Sequence, residues 1–367
     1  VVIRASGTDA YNDYFFSGLG QTVNSVQTFV LPSLAAANDP YVAHRIRQAE
    51  ALWIAGGDQA DYVNWWKDGP VEAAIRYLIH DKKAPIGGIS AGMAIQGGAY
   101  FAALNGSVTS LEALTNPYNP YLTLSNDDFL DHPDLQHVIT DTHYDNPDRR
   151  GRHLTFLARL TQDFGFRALG IACEEFTAVC IDSAGQARVF GSYPQYIDYA
   201  YFLQVNCTGD FAPETCFSGQ PLHWQRDSAA VWVYRTPGRS DGSATFNLRD
   251  WKTGLGGQWQ RWWVENGTLK TQGGAGGPAC STPVMEAAFG SDIRIFPNPG
   301  VDQVVVQADD PGFSAWLEVY DMQGKQQIVT RHWIGQLHLS CADWPAGLYF
   351  FRIASATGTV VKKLRVR

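Results

Sequence analysis

Short apolar segments alternate with amphipathic stretches over the first part of the chain, from Val1 to about residue 190. Uninterrupted apolar runs predict buried strands at 1–3, 26–32, 51–55, 84–89, 138–140 and 168–173. Between them, apolar side chains recur every three to four positions, which predicts helices at 39–50, at 71–81, from 91 onward and at 151–164. Strands that alternate with helices of this length favour a parallel sheet with helices on both faces. The predicted fold class is therefore α/β, with ligands expected beyond the carboxyl ends of the strands.

The pattern becomes strand-like beyond Glu175, with predicted strands at 177–181, 187–190, 199–204 and 229–234. Four tryptophans follow, at 251, 259, 262 and 263, and we interpret them as core aromatics rather than as a platform for carbohydrate stacking. A glycine-rich run at 273–278 favours neither helix nor central strand and indicates a linker. The remaining residues predict seven short strands between turn signals, at 293–296, 303–308, 315–320, 326–331, 336–339, 347–353 and 359–367. This spacing is typical of a small antiparallel β-sandwich.

Length and charge support this division and exclude some classes of function. A chain of 367 residues is long for one domain, since domains average about 150 residues. We predict a catalytic domain over 1–280, with a strand-rich and tryptophan-rich extension at about 190–275, and a β-sandwich over 291–367. The net charge of −8 argues against binding to nucleic acid or to anionic membranes. No apolar run approaches the length of about 18 residues that a transmembrane helix needs.

The sharpest chemical signal is the motif GGISAG at 87–92, which fits the nucleophile-elbow pattern G-x-S-x-G. It stands between a predicted strand and a predicted helix, as that motif requires. A tight strand-to-helix turn leaves no room for side chains at Gly88 and Gly92, and it raises Ser90 to the tip. The backbone N–H groups at the start of the helix are then free to bind an oxyanion. The alternative interpretation is an ordinary glycine-rich turn or a phosphate-binding loop.

Two further motifs follow neighbouring predicted strands. The sequence GGDQ at 56–59 ends the strand at 51–55, so its glycine backbone is expected beside Ser90, where it either donates a second hydrogen bond to the oxyanion or simply forms a turn. His143 follows the strand at 138–140 and is the candidate general base, although the position also suits an ordinary loop histidine. Glu174 and Glu175 follow the strand at 168–173, and either is placed to orient the histidine.

Basic residues come next in the chain, at Arg149, Arg150 and Arg152. Guanidinium groups bind carboxylates in a planar, two-pronged geometry, so these arginines are candidates for gripping an acidic substrate. They are equally compatible with the solvated start of a helix. The order serine, histidine, acid along the chain differs from the serine, acid, histidine order of the α/β-hydrolases.

Four motifs in this order resemble the cyanophycinase family of serine peptidases: GGDQ at 56–59, GGISAG at 87–92, DTH at 141–143 with the arginines that follow, and GIACEEFTA at 170–178. The resemblance extends from Val1 to about residue 191. It implies a flavodoxin-like fold, similar to that of class I glutamine amidotransferases. It also implies that Ser90 is the nucleophile, His143 the general base and Glu175 the acid of a catalytic triad.

The same resemblance assigns the remaining site residues. The backbones of Gly57 and Ala91 match the oxyanion donors of the family, and four side chains match positions that contact the β-aspartyl-arginine unit of cyanophycin: Gln59, Asp141, Arg149 and Arg152. No metal or organic cofactor is implied. The family often dimerises, which makes a homodimer the expected assembly. Its members begin with a strand and a glycine-rich turn before the position of Val1, so we expect the N-terminus here to be incomplete.

Two positions depart from the family pattern. Thr142 stands where the family has glutamine, and Pro147 stands where it has an arginine that binds substrate. The expected function is hydrolysis of aspartyl peptide bonds, from cyanophycin to β-Asp-Arg, through the Ser-His-Glu triad. The first alternative is a peptidase for other acidic or isoaspartyl peptides. The second is a catalytically inactive surface protein that only binds its ligand.

The C-terminal segment resembles the sorting domain of proteins exported by type IX secretion. The resemblance rests on RIFPNP at 294–299, VYDMQG at 319–324, LYFF at 348–351 and the basic last strand KKLRV at 362–366. It implies a secreted or cell-surface protein of a Gram-negative, Bacteroidetes-type bacterium, and the secretion machinery as a partner. An oxidising compartment would also allow a disulfide between Cys207 and Cys216, which bracket an eight-residue loop. The alternative is an adhesive or carbohydrate-binding sandwich.

Overall fold

The computed structural model describes residues 1–20, 23–208, 211–274, 276–279, 293–297, 300–308, 310–321, 325–355 and 358–366. The chain divides into two compact units, Val1–Thr282 and Pro283–Arg367. Parts of the predicted sorting motifs, at 298–299 and 322–324, and most of the stretch between the two predicted domains lie outside the described residues. None of the described helices is long and apolar enough to cross a membrane.

The first unit combines three sheets with short helices. Its strands are β1 (Val2–Arg4), β2 (Thr28–Val30), β3 (Leu52–Ile54), β4 (Ile86–Gly88), β5 (Ala99–Phe101), β6 (Leu124–Asn126), β7 (Val138–Asp141), β8 (Leu169–Cys173), β9 (Thr177–Ile181), β10 (Gln186–Gly191), β11 (Tyr199–Val205), β12 (Val231–Pro237), β13 (Ala244–Asn247), β14 (Gly254–Leu255), β15 (Gln258–Glu265) and β16 (Thr268–Gly273). Its helices are α1 (Tyr11–Asp13), α2 (Leu34–Ala37), α3 (Pro40–Gln48), α4 (Gln59–Trp66), α5 (Pro70–Tyr77), α6 (Ala91–Ala94), α7 (Ser110–Thr115) and α8 (Arg150–Phe164). Single π-helical turns occupy Tyr14–Gly18 and Leu78–Lys82, and a 3₁₀ turn occupies Pro133–Leu135.

Parallel strands lie where the alternating pattern predicts them. The first sheet has the order β2-β1-β3-β4 and is parallel throughout. In the second sheet, of order β16-β15-β12-β11-β8-β7-β5-β6, strand β7 pairs in parallel with both β5 and β8. The predicted α/β class with parallel strands is confirmed, and antiparallel strands extend the second sheet on both sides. The carboxyl ends of β3, β4, β7 and β8 carry the motifs singled out by sequence.

One predicted helix is much shorter than expected. The apolar stretch from 91 onward forms only the four-residue helix α6. The helix ends at Ala94, and the chain then passes so close to β7 that a Cβ on Gly97 would lie 2.2 Å from the carbonyl oxygen of Val138. The close approach of two backbones therefore overrides an apolar pattern that favours continuation.

The tryptophan-rich extension completes the second sheet. Strands β11, β12, β15 and β16 continue it outward from β8 by antiparallel pairing. Trp262 and Trp251 are buried in two separate cores, and Trp259 packs edge-on against Tyr234 and Phe246. The interpretation of these tryptophans as core aromatics is confirmed for Trp251 and Trp262. The third sheet, of order β14-β13-β10-β9, packs against the same region, where Phe246 stacks on a phenylalanine of β11.

The second unit consists of β-strands, several of which, such as Gln303–Ala308 and Gln336–Ser340, alternate buried residues with more exposed ones. They are β17 (Ile293–Phe296), β18 (Gln303–Ala308), β19 (Ser314–Asp321), β20 (Gln326–Ile334), β21 (Gln336–Ser340), β22 (Gly347–Ser355) and β23 (Gly358–Val366). They form two antiparallel sheets, β17-β18-β21 and β20-β19-β22-β23, which share one hydrophobic core. Each strand coincides with a predicted one to within a few residues, because strict period-two alternation marks a sheet with one buried face.

The cysteines differ from the prediction. Cys216 is a free thiol that lies 1% exposed in the core of the first unit, and burial raises its pKa to about 12. Cys207 is disulfide-bonded, and Cys216 is not its partner because its thiol is free. The predicted Cys207–Cys216 disulfide is therefore wrong. Proximity along the chain does not fix side-chain direction, and the Cys216 side chain points into an apolar core with Leu222 and Trp224.

Candidate active site

Ser90 occupies a strained turn between β4 and α6. Its backbone has φ 53° and ψ −123°, a conformation that side-chain-bearing residues rarely adopt, and its hydroxyl makes no capping bond to the helix. The flanking glycines permit this turn, since a Cβ on Gly88 would lie 2.3 Å from the carbonyl oxygen of Gly92. A Cβ on Gly92 would lie 2.0 Å from the carbonyl oxygen of Ile54 in β3. The sequence expectation that neither glycine has room for a side chain is met by these distances.

His143 lies between Ser90 and Glu175. Its Nε2 atom is 3.0 Å from Ser90 Oγ, and its Nδ1 atom is 3.0 Å from Glu175 Oε1. The parallel pairing of β7 and β8 brings their carboxyl ends together, and the Tyr144 N–H donates to the carbonyl of Cys173 at 3.3 Å. His143 itself has φ 50°. The hydroxyl, the imidazole and the carboxylate thus form an unbroken hydrogen-bonded chain in the order that nucleophilic catalysis uses.

Of the two candidate acids, only one faces the histidine. Glu175 is exposed at the surface and contacts His143, whereas the Glu174 side chain is buried on the other side of the backbone. The Glu174 carboxylate accepts hydrogen bonds from the Tyr201 hydroxyl at 2.5 Å and from the Tyr199 N–H at 2.8 Å. Burial raises the pKa of Glu174. Position after the strand left these two glutamates equivalent and the family resemblance favoured Glu175, which is the one that contacts His143 in the structure.

The turns after β3 and β4 place Gly57 and Ala91 in the same cleft as Ser90. Ala91 is the first residue of α6, so its N–H has no partner within the helix. The turn after β3 lies directly against the serine, because a Cβ on Gly56 would be 3.2 Å from Ser90 Cβ and 3.8 Å from its Oγ. Gly57 follows in this turn and lines the same cleft as Ser90 and Ala91. Gly57 and Ala91, the residues expected to donate to the oxyanion, thus both line the cleft, one from each turn, and their role as donors stays a prediction.

The triad opens into a cleft of about 330 Å³. It is lined by Gly57, Asp58, Gln59, Ser90, Ala91, Ala94, Ala103, Gly106, Ser107, Thr142, His143, Arg149 and Arg152. Gln59 stands at the start of α4, with its amide 3.5 Å from the carbonyl oxygen of Phe101. Ser107 and Gly106 come from an exposed loop after β5 that carries no motif and was missed by sequence reasoning.

The two predicted substrate arginines differ in what they offer. Arg149 donates one hydrogen bond to the carbonyl of Thr142 at 2.9 Å, while its buried Nε has no partner among the described residues. Burial, followed by the positive charge of Arg152, lowers the pKa of Arg149. An anion bound in the cleft would stabilise the charged form of Arg149 and so offset the effects of burial and of the Arg152 charge on its pKa. Arg150 lies elsewhere, because its guanidinium pairs with Asp148 at 2.6 Å and does not line the cleft.

Arg152 is instead committed to a buried ion pair. It is 4% exposed and contacts both carboxylate oxygens of Asp141, at 2.5 and 2.9 Å, with further bonds to Ser107 and Val108. Burial alone would raise the pKa of Asp141, but Arg152 outweighs it and the net pKa is lowered. Asp141 is 2% exposed and does not line the cleft. The structure therefore brings Asp141 and Arg152 together with each other and leaves Arg149 as the available guanidinium.

One group of carboxylates among the described residues has the spacing that a cation needs. Oxygen atoms of Asp145, Glu174 and Asp198 lie within 4.8 Å of one another, outside the cleft that contains Ser90. Glu174 and Asp198 already accept hydrogen bonds, the latter from the Phe176 N–H at 2.8 Å. The cluster thus has a role in holding the backbone that needs no ion.

Comparison with known proteins identifies the second unit. The family described as the secretion system C-terminal sorting domain matches residues 294–367. The chain therefore carries a C-terminal type IX sorting domain, which engages the secretion machinery and marks a secreted or cell-surface protein. No curated protein matches the sequence.

Two solved structures show limited likeness to the chain. A peptidase from an acI-B1 Actinobacterium shares 13% identity, with a TM-score of 0.37 and coverage of 55% of this chain and 75% of its own. A DUF3244 family protein with an immunoglobulin-like β-sandwich fold from Bacteroides vulgatus shares 16% identity, with a TM-score of 0.17 and coverage of 20% and 83%. At these TM-scores, neither likeness defines the fold or the activity of the chain.

Proposed function

We propose that this protein is a secreted serine peptidase that hydrolyses aspartyl peptide bonds, as the cyanophycinase family does. The observation that carries the proposal is the hydrogen-bonded chain from Ser90 Oγ through His143 to Glu175, with 3.0 Å at each step. The strained backbone of Ser90 and the presence of Gly57 and Ala91 in the same cleft support the same chemistry. A phosphate-binding loop would not require a histidine and a carboxylate in line with the serine.

The reaction follows from this geometry. Ser90 Oγ attacks the scissile carbonyl carbon while its proton passes to His143 Nε2, and the N–H groups of Gly57 and Ala91 hold the oxyanion. The tetrahedral intermediate collapses as the C–N bond breaks, and His143 returns the proton to the departing amine. Glu175 orients the imidazole and stabilises its charged form. Water then hydrolyses the ester on Ser90, with His143 again acting as base.

The charge of the cleft supports an acidic substrate. Arg149 is placed to bind a carboxylate close to the scissile bond, because its guanidinium lines the cleft and keeps an unpartnered buried Nε. Asp58 is the exposed acidic residue of the same lining, and it suits a cationic group such as an arginine side chain. These groups are complementary to the β-aspartyl-arginine unit of cyanophycin.

Hydrolysis assays with cyanophycin and with β-aspartyl dipeptides test the proposal. Release of β-Asp-Arg from cyanophycin, lost by about 1,000-fold or more in Ser90→Ala, is the expected result. Arg149→Gln should raise KM about tenfold, whereas Arg150→Gln, which removes a guanidinium outside the cleft, should leave KM unchanged. Turnover that is unaffected by Ser90→Ala, or no turnover of any acidic peptide, would contradict the proposal.

A second candidate is a peptidase for other acidic or isoaspartyl peptides. It is favoured by Pro147 and Thr142, which replace residues of the family pattern, and by the burial of Arg152 against Asp141. Fewer side chains are then left to bind the repeating unit of the polymer. Cleavage of β-aspartyl dipeptides without cleavage of cyanophycin would select this candidate.

A further inference from the structure

Glu175 lies in a turn that leaves the second sheet directly after β8. Its side chain is exposed and its hydrogen bond to His143 Nδ1 is the one bond recorded for it among the described residues. The side chain is 42% exposed, so its carboxylate reaches His143 only where the backbone of the turn places it there. That backbone is fixed by the residues on either side, Glu174 and Phe176.

At the end of the β8–β11 ladder, the Glu174 side chain accepts a hydrogen bond that a backbone carbonyl would normally accept. Its own N–H donates to the carbonyl of Tyr199 at 3.0 Å, and its side-chain carboxylate accepts the Tyr199 N–H at 2.8 Å. The carbonyl of Glu174 is used elsewhere, because it accepts the Thr177 hydroxyl at 2.9 Å. The Glu174 side chain thus provides the acceptor for the Tyr199 N–H, and the main chain is free to turn toward His143.

The contacts around this carboxylate also reach the histidine loop. The Tyr201 hydroxyl donates to Glu174 at 2.5 Å, and the Tyr201 ring lies 4.9 Å from the ring of Tyr144, the residue after His143. On the other side of the turn, the Phe176 N–H donates to Asp198 at 2.8 Å. The backbones that carry His143 and Glu175 therefore rest on one buried layer.

A carboxylate is a costly side chain for this place. Glu174 is 7% exposed, and an apolar residue of similar size would avoid the desolvation of a charge. An apolar residue would, however, leave the Tyr199 N–H and the Tyr201 hydroxyl without this acceptor. We therefore explain the burial of the Glu174 carboxylate by the hydrogen bonds with which it fixes the turn.

We propose that Glu174, held by Tyr201, is a positioning residue that keeps Glu175 in register with His143. The inference rests on the proposed triad and goes beyond it, since Glu174 touches neither the substrate nor His143. Loss of the Glu174 carboxylate should let the turn relax, and a displacement of the order of 1 Å lowers reactivity by about 100-fold.

The rate at which a fluorophosphonate probe labels Ser90 measures triad reactivity without knowledge of the substrate. We expect Glu174→Ala to lower this rate by about 10- to 100-fold, and Tyr201→Phe to lower it less. The matched control is Glu72→Ala, because Glu72 is also 7% exposed and also accepts a backbone N–H, from Asp68, but lies outside the cleft. It should lower the melting temperature in a similar way and leave the labelling rate unchanged.

A double-mutant cycle separates positioning from general damage. In a Glu175→Ala background, adding Glu174→Ala should cause no further loss of labelling, because there is no longer an acid to position. An equal loss of labelling rate in both backgrounds would overturn the inference but not the proposed function. The same holds if the wild type is labelled and both Glu174→Ala and Tyr201→Phe are labelled at the full rate. A wild-type protein that is not labelled at Ser90 would overturn both the inference and the proposed function.

Discussion

At the scale of single residues, the site depends on side chains held in costly positions. Ser90 and His143 both have a positive φ, which costs of the order of 1–3 kcal/mol for each residue and persists only where the surroundings enforce it. Asp141 and Arg152 add a buried ion pair directly behind the cleft. Removal of one partner from such a pair leaves a charge buried without compensation.

Arg152→Met is therefore expected to destabilise the fold. The free energy of unfolding should fall by about 3–5 kcal/mol, because the Asp141 carboxylate would remain buried without its partner. The double variant Asp141→Leu with Arg152→Met should recover part of this loss. Urea denaturation of the three proteins measures the effect. A single variant as stable as the wild type would show that the pair does not support the fold.

The pairing of Arg152 illustrates where sequence reasoning ends at this scale. The motifs predict Ser90, His143 and Glu175 in one site because the carboxyl ends of parallel strands converge. In the structure the site joins the end of β4 in the first sheet to the ends of β7 and β8 in the second. Both Arg149 and Arg152 line the cleft, and nothing in their spacing shows which of them is paired with Asp141. Cys216 is a similar case, since its neighbours in the core come from distant parts of the chain.

At the scale of elements, the turn between β4 and α6 holds Ser90, the proposed nucleophile. Three backbones converge there, with Gly88 against Gly92 and Gly92 against Ile54 of β3. Regular elements with a clear period, such as β9 at Thr177–Ile181, coincide with their predicted bounds. The helix from Ala91 does not, because the contact of Gly97 with Val138 depends on the neighbouring strand and is invisible in a local pattern.

Gly92→Ala is expected to disrupt this turn. The added Cβ would lie 2.0 Å from the carbonyl oxygen of Ile54, so either β3 or the start of α6 must move. Labelling of Ser90 should fall by about 100-fold, as expected for a displacement of about 1 Å at the reacting atoms. Gly273→Ala is the control, since a Cβ there has no neighbour within 4 Å. Equal reactivity of Gly92→Ala and the wild type would contradict the account of the turn.

At the scale of the whole molecule, the chain joins a unit that contains the proposed active site to a unit that directs export. The first unit also buries histidines that must stay neutral. His153 is fully buried in α8, with Nδ1 3.1 Å from the Tyr144 hydroxyl, and burial lowers its pKa to about 4. Burial also lowers the pKa of His132 to about 4. The unfolded chain releases these protons only near the ordinary pKa of about 6.5.

Stability should therefore fall as the solution is acidified. Between about pH 6.5 and pH 4, His153 binds a proton in the unfolded state but stays neutral in the folded state. The stability present above pH 6.5 is therefore lost progressively as the pH falls through this window, by up to about 3 kcal/mol. His153→Gln should flatten this dependence, whereas His44→Gln, at an exposed position, should not. Urea denaturation at a series of pH values gives the slope. A slope unchanged by His153→Gln would contradict the assignment of a neutral buried imidazole.

The central claim is that Ser90, His143 and Glu175 act as a working triad, and covalent labelling of the intact protein tests it most directly. A fluorophosphonate reacts when serine oxygen attacks phosphorus, fluoride leaves and the serine proton passes to the histidine. Mass spectrometry should locate one adduct, on Ser90, that is lost in Ser90→Ala and His143→Ala and retained in Ser107→Ala, which changes another serine of the same cleft. An unmodified wild-type protein, or an adduct that survives Ser90→Ala, would contradict the account.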